Sequence, residues 1–284
     1  MCVTREALDQ IRPQLSRLDP RSALLAGASL IGLAAALYLP PVYALLGETA
    51  VTTIFNLIQV FSALTLVSLV IGVWWSSEPG ETLRAIAGCL ALGLTLWAAG
   101  QAVYAFFQVE RGPDFVGPTP ADALWLAGYV PMIAGLYLRL HTFSLNLTTA
   151  RRVVVIALNG VLAGLAVWFV VRPILEHPDP AQPLSTAINL LYILGDLAVV
   201  LAASLIMQAL ARGSMSTPWA LVAAGCLMFC GSDLLYAYGV WNGTLGAGPA
   251  GPTPILLAYN ILFLSAYVTG AVGAYWLARL HGVI

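Results

Sequence analysis

The sequence contains no lysine, and all twelve of its basic residues are arginine. Without lysine, the chain can form no Schiff base to retinal or pyridoxal phosphate and has no P-loop lysine. Charged residues make up only 9% of the 284 positions, against about a quarter in a soluble domain. This shortage excludes an ordinary water-soluble enzyme and a disordered chain. The formal net charge of −1 provides no basic field, so no nucleic-acid partner is expected.

Histidine and cysteine are also scarce. The three histidines fall at or beyond the ends of predicted helices, which disfavours a bis-histidine haem site and any Ser-His-Asp set. The four cysteines show no disulfide pattern. Cys226, Cys230 and Asp233 share one helical face, but no intramembrane histidine completes a ligand set. We therefore expect no metal and no other cofactor.

Apolar residues dominate the remainder, and 60% of the chain is hydrophobic. A helix needs about 20 apolar residues to cross the hydrocarbon core of a bilayer. Eight stretches qualify, at about 22–46, 51–75, 83–107, 121–140, 152–172, 185–210, 218–240 and 254–279. Asp-Pro or Thr-Pro pairs at 19–20, 119–120, 217–218 and 253–254 place a capping residue before a proline at a predicted helix start. The sequence therefore predicts an all-α polytopic membrane protein with eight transmembrane helices.

The arginines predict the orientation of these helices. Ten of the twelve lie before the first predicted helix, at the even-numbered loops or at the end of the last helix. They are Arg5, Arg12, Arg17, Arg21, Arg84, Arg139, Arg151, Arg152, Arg212 and Arg279. By the positive-inside rule, we expect both termini to be cytoplasmic, in a multi-pass protein of the cell (inner) membrane. Residues 1–21 form a cytoplasmic segment, for which an interfacial amphipathic helix and a frayed tail both remain open.

The chain matches itself at an offset near 133 residues. The matching strings are 53–57 with 186–190, 100–105 with 232–237, and 117–120 with 251–254. We interpret the chain as two four-helix halves, 22–150 and 151–284. Because each half has an even number of spans, the two repeats should run parallel, related by an axis along the membrane normal.

Two positions distinguish the halves. Asp196 stands where the first half has Ala63, and Asp233 stands where it has Gln101. Both aspartates fall within predicted spans, where an ionised carboxylate costs at least about 2.5–3.5 kcal/mol on insertion scales. They should therefore face the bundle interior, either protonated or with neutral hydrogen-bond donors around them.

Such donors are plentiful in the outer half of the predicted membrane. Side chains at helical spacing share faces with the aspartates or lie at similar depth, and we predict that they form a ligand pocket. The candidate ligand-binding residues are Asp196, Asp233, Asn189, Tyr192, Gln101, Tyr104, Tyr236, Asn56, Trp125 and Tyr129.

Other interpretations of the polar groups stay open. Buried amides and carboxyls often act only as interhelical glue. The outer aromatics are typical of an interfacial belt. Asp122 follows Thr119 at capping-box spacing. Gly160 and Gly164 have the spacing of a close helix contact.

Several strings resemble a known class of membrane region. They are Pro-Thr-Pro-Ala-Asp at 118–122, Trp-Leu-Ala-Gly-Tyr-Val-Pro at 125–131, Gly-Asp at 195–196 and Ser-Asp-Leu-Leu-Tyr-Ala at 232–237. Together they resemble the multi-span N-terminal sensor regions of bacterial diguanylate cyclase and phosphodiesterase proteins, over about residues 90–280. Gln101 departs from the acidic residue of that pattern, and the sequence holds no output domain. The two aspartates also resemble, more weakly, the pair of lysoplasmalogenase-type membrane hydrolases.

The resemblance and the polar cluster lead to one main functional expectation. We expect a sensory or ligand-binding membrane module without catalysis, whose pocket takes a small or lipidic ligand among the membrane lipids. A cytoplasmic signalling partner or other membrane-complex subunits would receive the change. The alternatives are a proton-coupled small-molecule transporter, an intramembrane lipid hydrolase and a structural subunit. A hydrolase requires the carboxyls of Asp196 and Asp233 within about 10 Å of one another.

Overall fold

A computed structural model describes residues 19–112, 118–143, 147–176, 183–210, 213–245, 247–248 and 251–283. Nearly all of the predicted N-terminal segment, 1–21, lies outside the described residues. The helices are α1 Pro20–Ala36, α2 Pro40–Leu46, α3 Glu48–Ser76, α4 Thr82–Arg111, α5 Pro120–His141, α6 Thr149–Glu176, α7 Pro183–Ala209, α8 Ser216–Trp241 and α9 Pro254–Leu280. A two-residue antiparallel ribbon, β1 Ala247–Gly248 and β2 Gly251–Pro252, precedes α9.

The predicted all-α polytopic membrane fold is confirmed. In the described part of the chain, seven helices are long and apolar enough to cross a membrane. The number rises to eight if α1 and α2, which meet at a bend of 68°, count as one span. The bend occurs because Pro40 and Pro41 cannot continue α1 and instead begin α2.

The proline-capped helix starts are found at three of the four predicted pairs. Asp19 and Thr253 accept backbone hydrogen bonds at the starts of α1 and α9, and Thr119 forms a capping box with Asp122 at the start of α5. The fourth pair, 217–218, lies inside α8, which begins one residue earlier and has no side-chain cap.

The helices alternate in direction, and this gives the bundle two different ends. The end at which α4, α6 and α8 begin is called the arginine-rich end. The described arginines there are Arg21, Arg84, Arg139, Arg151, Arg152 and Arg279. The opposite end, which we call acidic, carries Glu48, Glu110, Asp122 and Glu176.

Six helices form a closed ring in the order α3, α4, α5, α7, α8, α9, and α9 packs back on α3. Replacing α3, α4 and α5 by α7, α8 and α9 maps this ring onto itself. The glycines that allow close packing are also equivalent. A Cβ at Gly93 of α4 would meet Gly128 and Met132 of α5, and one at Gly225 of α8 would meet Ala266 and Gly270 of α9.

The outer helices break this symmetry. Helix α1 packs on α9, whereas α6 packs on α7. The prediction that Gly160 and Gly164 make a close helix contact is wrong for the described part of the chain, because no atom lies within 4 Å of a Cβ at either position. Near its acidic end, α6 widens into a π-helical turn over Val167–Val171, just before Pro173, whose ring nitrogen cannot donate a helical hydrogen bond.

Candidate functional site

A cavity of about 380 Å³ opens inside the ring, in the half of the bundle nearer the acidic end. All six ring helices contribute to its wall. Its polar lining consists of Gln59, Gln101, Tyr104, Asp122, Tyr129, Ser185, Thr186, Asn189, Tyr192, Asp196, Asp233, Tyr236 and Tyr259. No arginine or histidine stands among the described residues that line it. The wall therefore combines acidic groups and hydroxyls with no cation of its own.

Asp196 of α7 is the most enclosed carboxyl in this wall. Its side chain is 4% exposed, and the Tyr129 hydroxyl donates a hydrogen bond of 2.6 Å to its Oδ1. The preceding residue makes this bond possible, since a Cβ at Gly195 would lie 2.7 Å from the Tyr129 ring. The Gly-Asp string therefore has a physical reason: the glycine admits the ring whose hydroxyl the aspartate binds.

Asp233 lies on the neighbouring helix α8, and its carboxyl group is in hydrogen-bonding contact with that of Asp196. A hydrogen bond between two carboxyl groups requires that at least one of them is protonated. This arrangement satisfies the expectation that both side chains face the bundle interior. It also meets the distance requirement for an acid–base pair.

Asp122 of α5 has two roles at once. Its Oδ2 accepts the backbone N–H of Thr119 at 2.7 Å, which completes the capping box. Its Oδ1 accepts the Tyr192 hydroxyl at 2.9 Å, and the residue lines the cavity. Two tyrosine–aspartate bonds, Tyr129 to Asp196 and Tyr192 to Asp122, thus join α5 to α7.

A cluster of phenols covers the wall between α4, α8 and α9. The hydroxyl of Tyr104 is in hydrogen-bonding contact with those of Tyr236 and Tyr259, and Gln108 Nε2 donates to it at 3.2 Å. The rings of Tyr236 and Tyr259 lie 5.5 Å apart. These hydroxyls can donate to or accept from a bound molecule, and the ring faces can pack on a cation or an apolar group.

Neutral amides occupy the wall on the side of α3. Gln101 Nε2 donates to Gln59 Oε1 at 2.8 Å. Asn56 Nδ2 donates to Gln108 Oε1 at 2.7 Å, in a buried contact between α3 and α4. Asn56 therefore supports the phenol cluster from behind, and the structure does not place it in the cavity wall.

Two indoles form the floor of the cavity. Trp97 Nε1 donates to the carbonyl oxygen of Trp125 at 2.9 Å, and Trp125 Nε1 donates to the carbonyl oxygen of Trp97 at 3.1 Å. Gly100 and Gly128 provide the space for these rings. Trp97 also packs edge-to-face on Phe229, with ring centroids 4.8 Å apart. This reciprocal clamp holds α4 against α5 and separates the cavity from the arginine-rich half.

Nine of the ten sequence-predicted residues therefore line one cavity, the exception being Asn56. Sequence reasoning left out Gln59, Trp97, Asp122 and Tyr259. For three of these residues, the sequence contains a pattern that could have identified them. Gln59 lies one turn from Asn56, and Asp122 shares a helix face with Trp125 and Tyr129. Tyr259 aligns with Trp125 when the two halves of the sequence are superimposed. Trp97 has no such pattern, since an apolar side chain in an apolar helix has no distinctive spacing.

In the described part of the chain, no three His, Cys, Asp or Glu side chains are grouped so that they could hold a metal ion. Comparisons with protein-family models, with curated proteins and with solved structures found no match.

Proposed function

We propose that the chain is a membrane-embedded ligand-binding module, and that its cavity takes a small molecule with a protonated amine or another hydrogen-bond-donating group on an apolar body. The observation that carries this proposal is a 380 Å³ cavity lined by three aspartates and five tyrosines, with no arginine or histidine among its described lining residues. That volume lies within the range of about 300–1,000 Å³ that is usual for small-molecule pockets.

Charge complementarity supports the choice of a cationic group. Three carboxyl groups, of Asp122, Asp196 and Asp233, line the cavity, and no arginine lines the described wall to balance a negative charge on them. A ligand cation placed there would gain charge-assisted hydrogen bonds to carboxylates and contacts with the faces of tyrosine and tryptophan rings.

The module has a route from ligand to helix movement. The ring contact between α5 and α7 joins the two halves, and it includes the hydrogen bonds of Asp196 and Asp122. A ligand that binds these carboxyls competes with Tyr129 and Tyr192, so it favours a different spacing of α5 and α7. Differential affinity for the two spacings is sufficient for a sensory role, with a cytoplasmic partner that reads the arginine-rich end.

Mass spectrometry of small molecules released from the denatured protein tests the proposal. We expect a molecule that co-purifies with wild-type protein and is lost in D196N and D233N. E176Q is the matched control, because Glu176 is exposed and paired with Arg172 at 2.7 Å outside the cavity. Equal ligand content in D196N, D233N and wild type would contradict the proposal.

The contact between Asp196 and Asp233 favours a second candidate function, hydrolysis of a lipid ester or ether. The ionised carboxyl would take a proton from water while the oxygen of that water bonds to the lipid carbon that is attacked. The protonated carboxyl would give its proton to the leaving oxygen as the bond between that carbon and that oxygen breaks. Incubation with a monoacyl phospholipid tests this candidate. Release of fatty acid by wild type and E176Q, but not by D196N or D233N, would favour the hydrolase over the binding module.

A further inference from the structure

A second cavity, of about 140 Å³, lies below the indole floor in the arginine-rich half. Of the described residues, Trp97 and Asp196 alone line both cavities. Its wall is almost wholly aliphatic and aromatic, with contributions such as Leu66, Leu90 and Phe229. Such a chamber suits a hydrocarbon chain, since apolar cavities of this kind do not hold ordered water.

The polar groups of this cavity are gathered at its two ends. Asp196 stands near the floor, about 20 Å of helix from the end of α7. Arg139, Trp219 and His281 line the other end, near the end of α5, the start of α8 and the residue after α9.

Two of these groups are buried donors with no acceptor. Arg139 Nε and Trp219 Nε1 are both inaccessible and have no hydrogen-bond partner among the described residues. Trp219 is 4% exposed, and the Arg139 guanidinium lies 5.4 Å from its ring centroid. Buried N–H groups are almost always paired, so two adjacent unpaired donors indicate an acceptor supplied from outside the chain.

We propose that this cavity binds the hydrocarbon chain of an anionic amphiphile, whose carboxylate or phosphate accepts hydrogen bonds from Arg139 and Trp219. The acyl chain would lie along the aliphatic wall toward Trp97. The headgroup would remain at the arginine-rich end, where an arginine-bound anion gains charge-assisted hydrogen bonds. The groups that would bind the anion, Arg139 and Trp219, lie outside the cavity of the acidic half, although Trp97 and Asp196 border both cavities.

Native mass spectrometry in a neutral detergent tests the proposal with two anionic probes, palmitate and dioleoyl phosphatidate. Wild-type protein should bind at least one of them as a single adduct, and the tighter probe identifies a free fatty acid or a membrane lipid as the natural source. R139Q should weaken binding at least about 10-fold, and W219F about 3-fold or more, because each loses a hydrogen bond to the anion.

Matched controls separate recognition from folding. R152Q removes an exposed arginine at the same end, whose Nε donates to the Leu147 carbonyl oxygen, and should bind as wild type does. V222F fills the chamber without touching a charge and should exclude the probe. Thermal unfolding checks that R139Q, W219F and V222F are folded. 1-Hexadecanol, which lacks the charge, should bind at least about 10-fold more weakly than palmitate.

Three outcomes would overturn the proposal. They are no adduct with either anionic probe, equal binding in R139Q and R152Q, or equal binding of hexadecanol and palmitate. The result of the D196N experiment on the acidic-half ligand does not determine any of these three outcomes. The two proposals can therefore fail separately.

Discussion

The two halves of the ring have the same helix packing but opposite chemistry at equivalent positions. Where α5, α7 and α8 bring Tyr129, Asp196 and Asp233 together, the equivalent positions of α9, α3 and α4 hold Phe263, Ala63 and Gln101. Ala63 is 1% exposed in the same hydrophobic cluster that Phe263 packs against, and Gln101 is bonded to Gln59.

This difference shows that the residues that determine the helix packing are not the residues that determine the chemistry of the cavity. Equivalent side chains meet near the centre of the ring, as Trp97 meets Phe229 and Tyr104 meets Tyr236. The two halves therefore contribute similar segments of wall to one cavity. Three side chains make the α5, α7 and α8 side of this wall ionisable, and their counterparts on the α9, α3 and α4 side are apolar or neutral. We expect one ionisable ligand site in the acidic half of each chain, on the side of α7 and α8.

The largest expected effect comes from placing the aspartate in the neutral half. A63D should lower the free energy of unfolding by about 3–5 kcal/mol, because the carboxyl would be buried without a tyrosine donor and without space. Chemical unfolding in mixed micelles measures this loss. A63N controls for volume, and a loss no greater in A63D than in A63N would contradict the explanation.

A second substitution sharpens this test. The double variant A63D/F263Y restores the donor at the position equivalent to Tyr129. It should recover about 1 kcal/mol relative to A63D, as one hydrogen bond to the buried carboxyl does. If the effects of the two substitutions were strictly additive, a tyrosine at 263 would not bond to an aspartate at 63 as Tyr129 bonds to Asp196.

The equivalent glycines should respond differently to alanine. A Cβ at Gly93 would overlap Met132 Cγ and lie 2.7 Å from the Gly128 carbonyl oxygen, whereas one at Gly225 would lie 3.1 Å from the Ala266 carbonyl oxygen. We expect G93A to cost about 2–3 kcal/mol of unfolding free energy and G225A less than about 1 kcal/mol. Thermal unfolding of the two variants side by side measures the difference, and equal losses would contradict it.

Two buried tyrosines of the ring form a matched pair for a smaller effect. Tyr129 is 4% exposed and bonded to Asp196, while Tyr267 is 1% exposed and its hydroxyl has no partner among the described residues. Y129F should lower the free energy of unfolding by about 1–2 kcal/mol, and Y267F should lower it by nothing measurable. If Y267F proved the more costly change, the assignment of the Asp196 bond as the stabilising one would be wrong.

The sequence predicted the transmembrane helices, and nine of its ten candidate residues lie in the cavity wall. These depend on local periodicity, and the spacing of positions 189, 192 and 196 is enough to place them on one face of α7. Sequence periodicity gives the face of a helix but not its rotation against its neighbours. Asn56 and Gln59 share a face of α3, yet only Gln59 reaches the cavity, because Asn56 meets Gln108 first.

Residues with two roles were the hardest to predict. The capping box explains why an aspartate stands at position 122. Nothing in the sequence indicates the second hydrogen bond of this carboxylate, which it accepts from Tyr192, seventy residues away. The clamp between Trp97 and Trp125 depends on glycines in two helices that the sequence does not pair. Tertiary contacts of this kind depend on how the helices cross, which the pattern of apolar residues leaves undetermined.

The smallest expected effect compares His141, the last residue of α5, with His281, the residue that follows α9. Burial lowers the pKa of His281 below the ordinary 6.5, the neighbouring Arg139 guanidinium lowers it further, and Glu81 opposes both. The folded chain therefore binds fewer protons here than the unfolded chain does, so stability should fall as the pH falls through about 6.5. H281Q should reduce this loss between pH 7.5 and pH 5, as measured by thermal unfolding. H141Q, in which the replaced histidine is exposed, should keep the wild-type loss, and a loss that persisted in H281Q would mean that another group carries it.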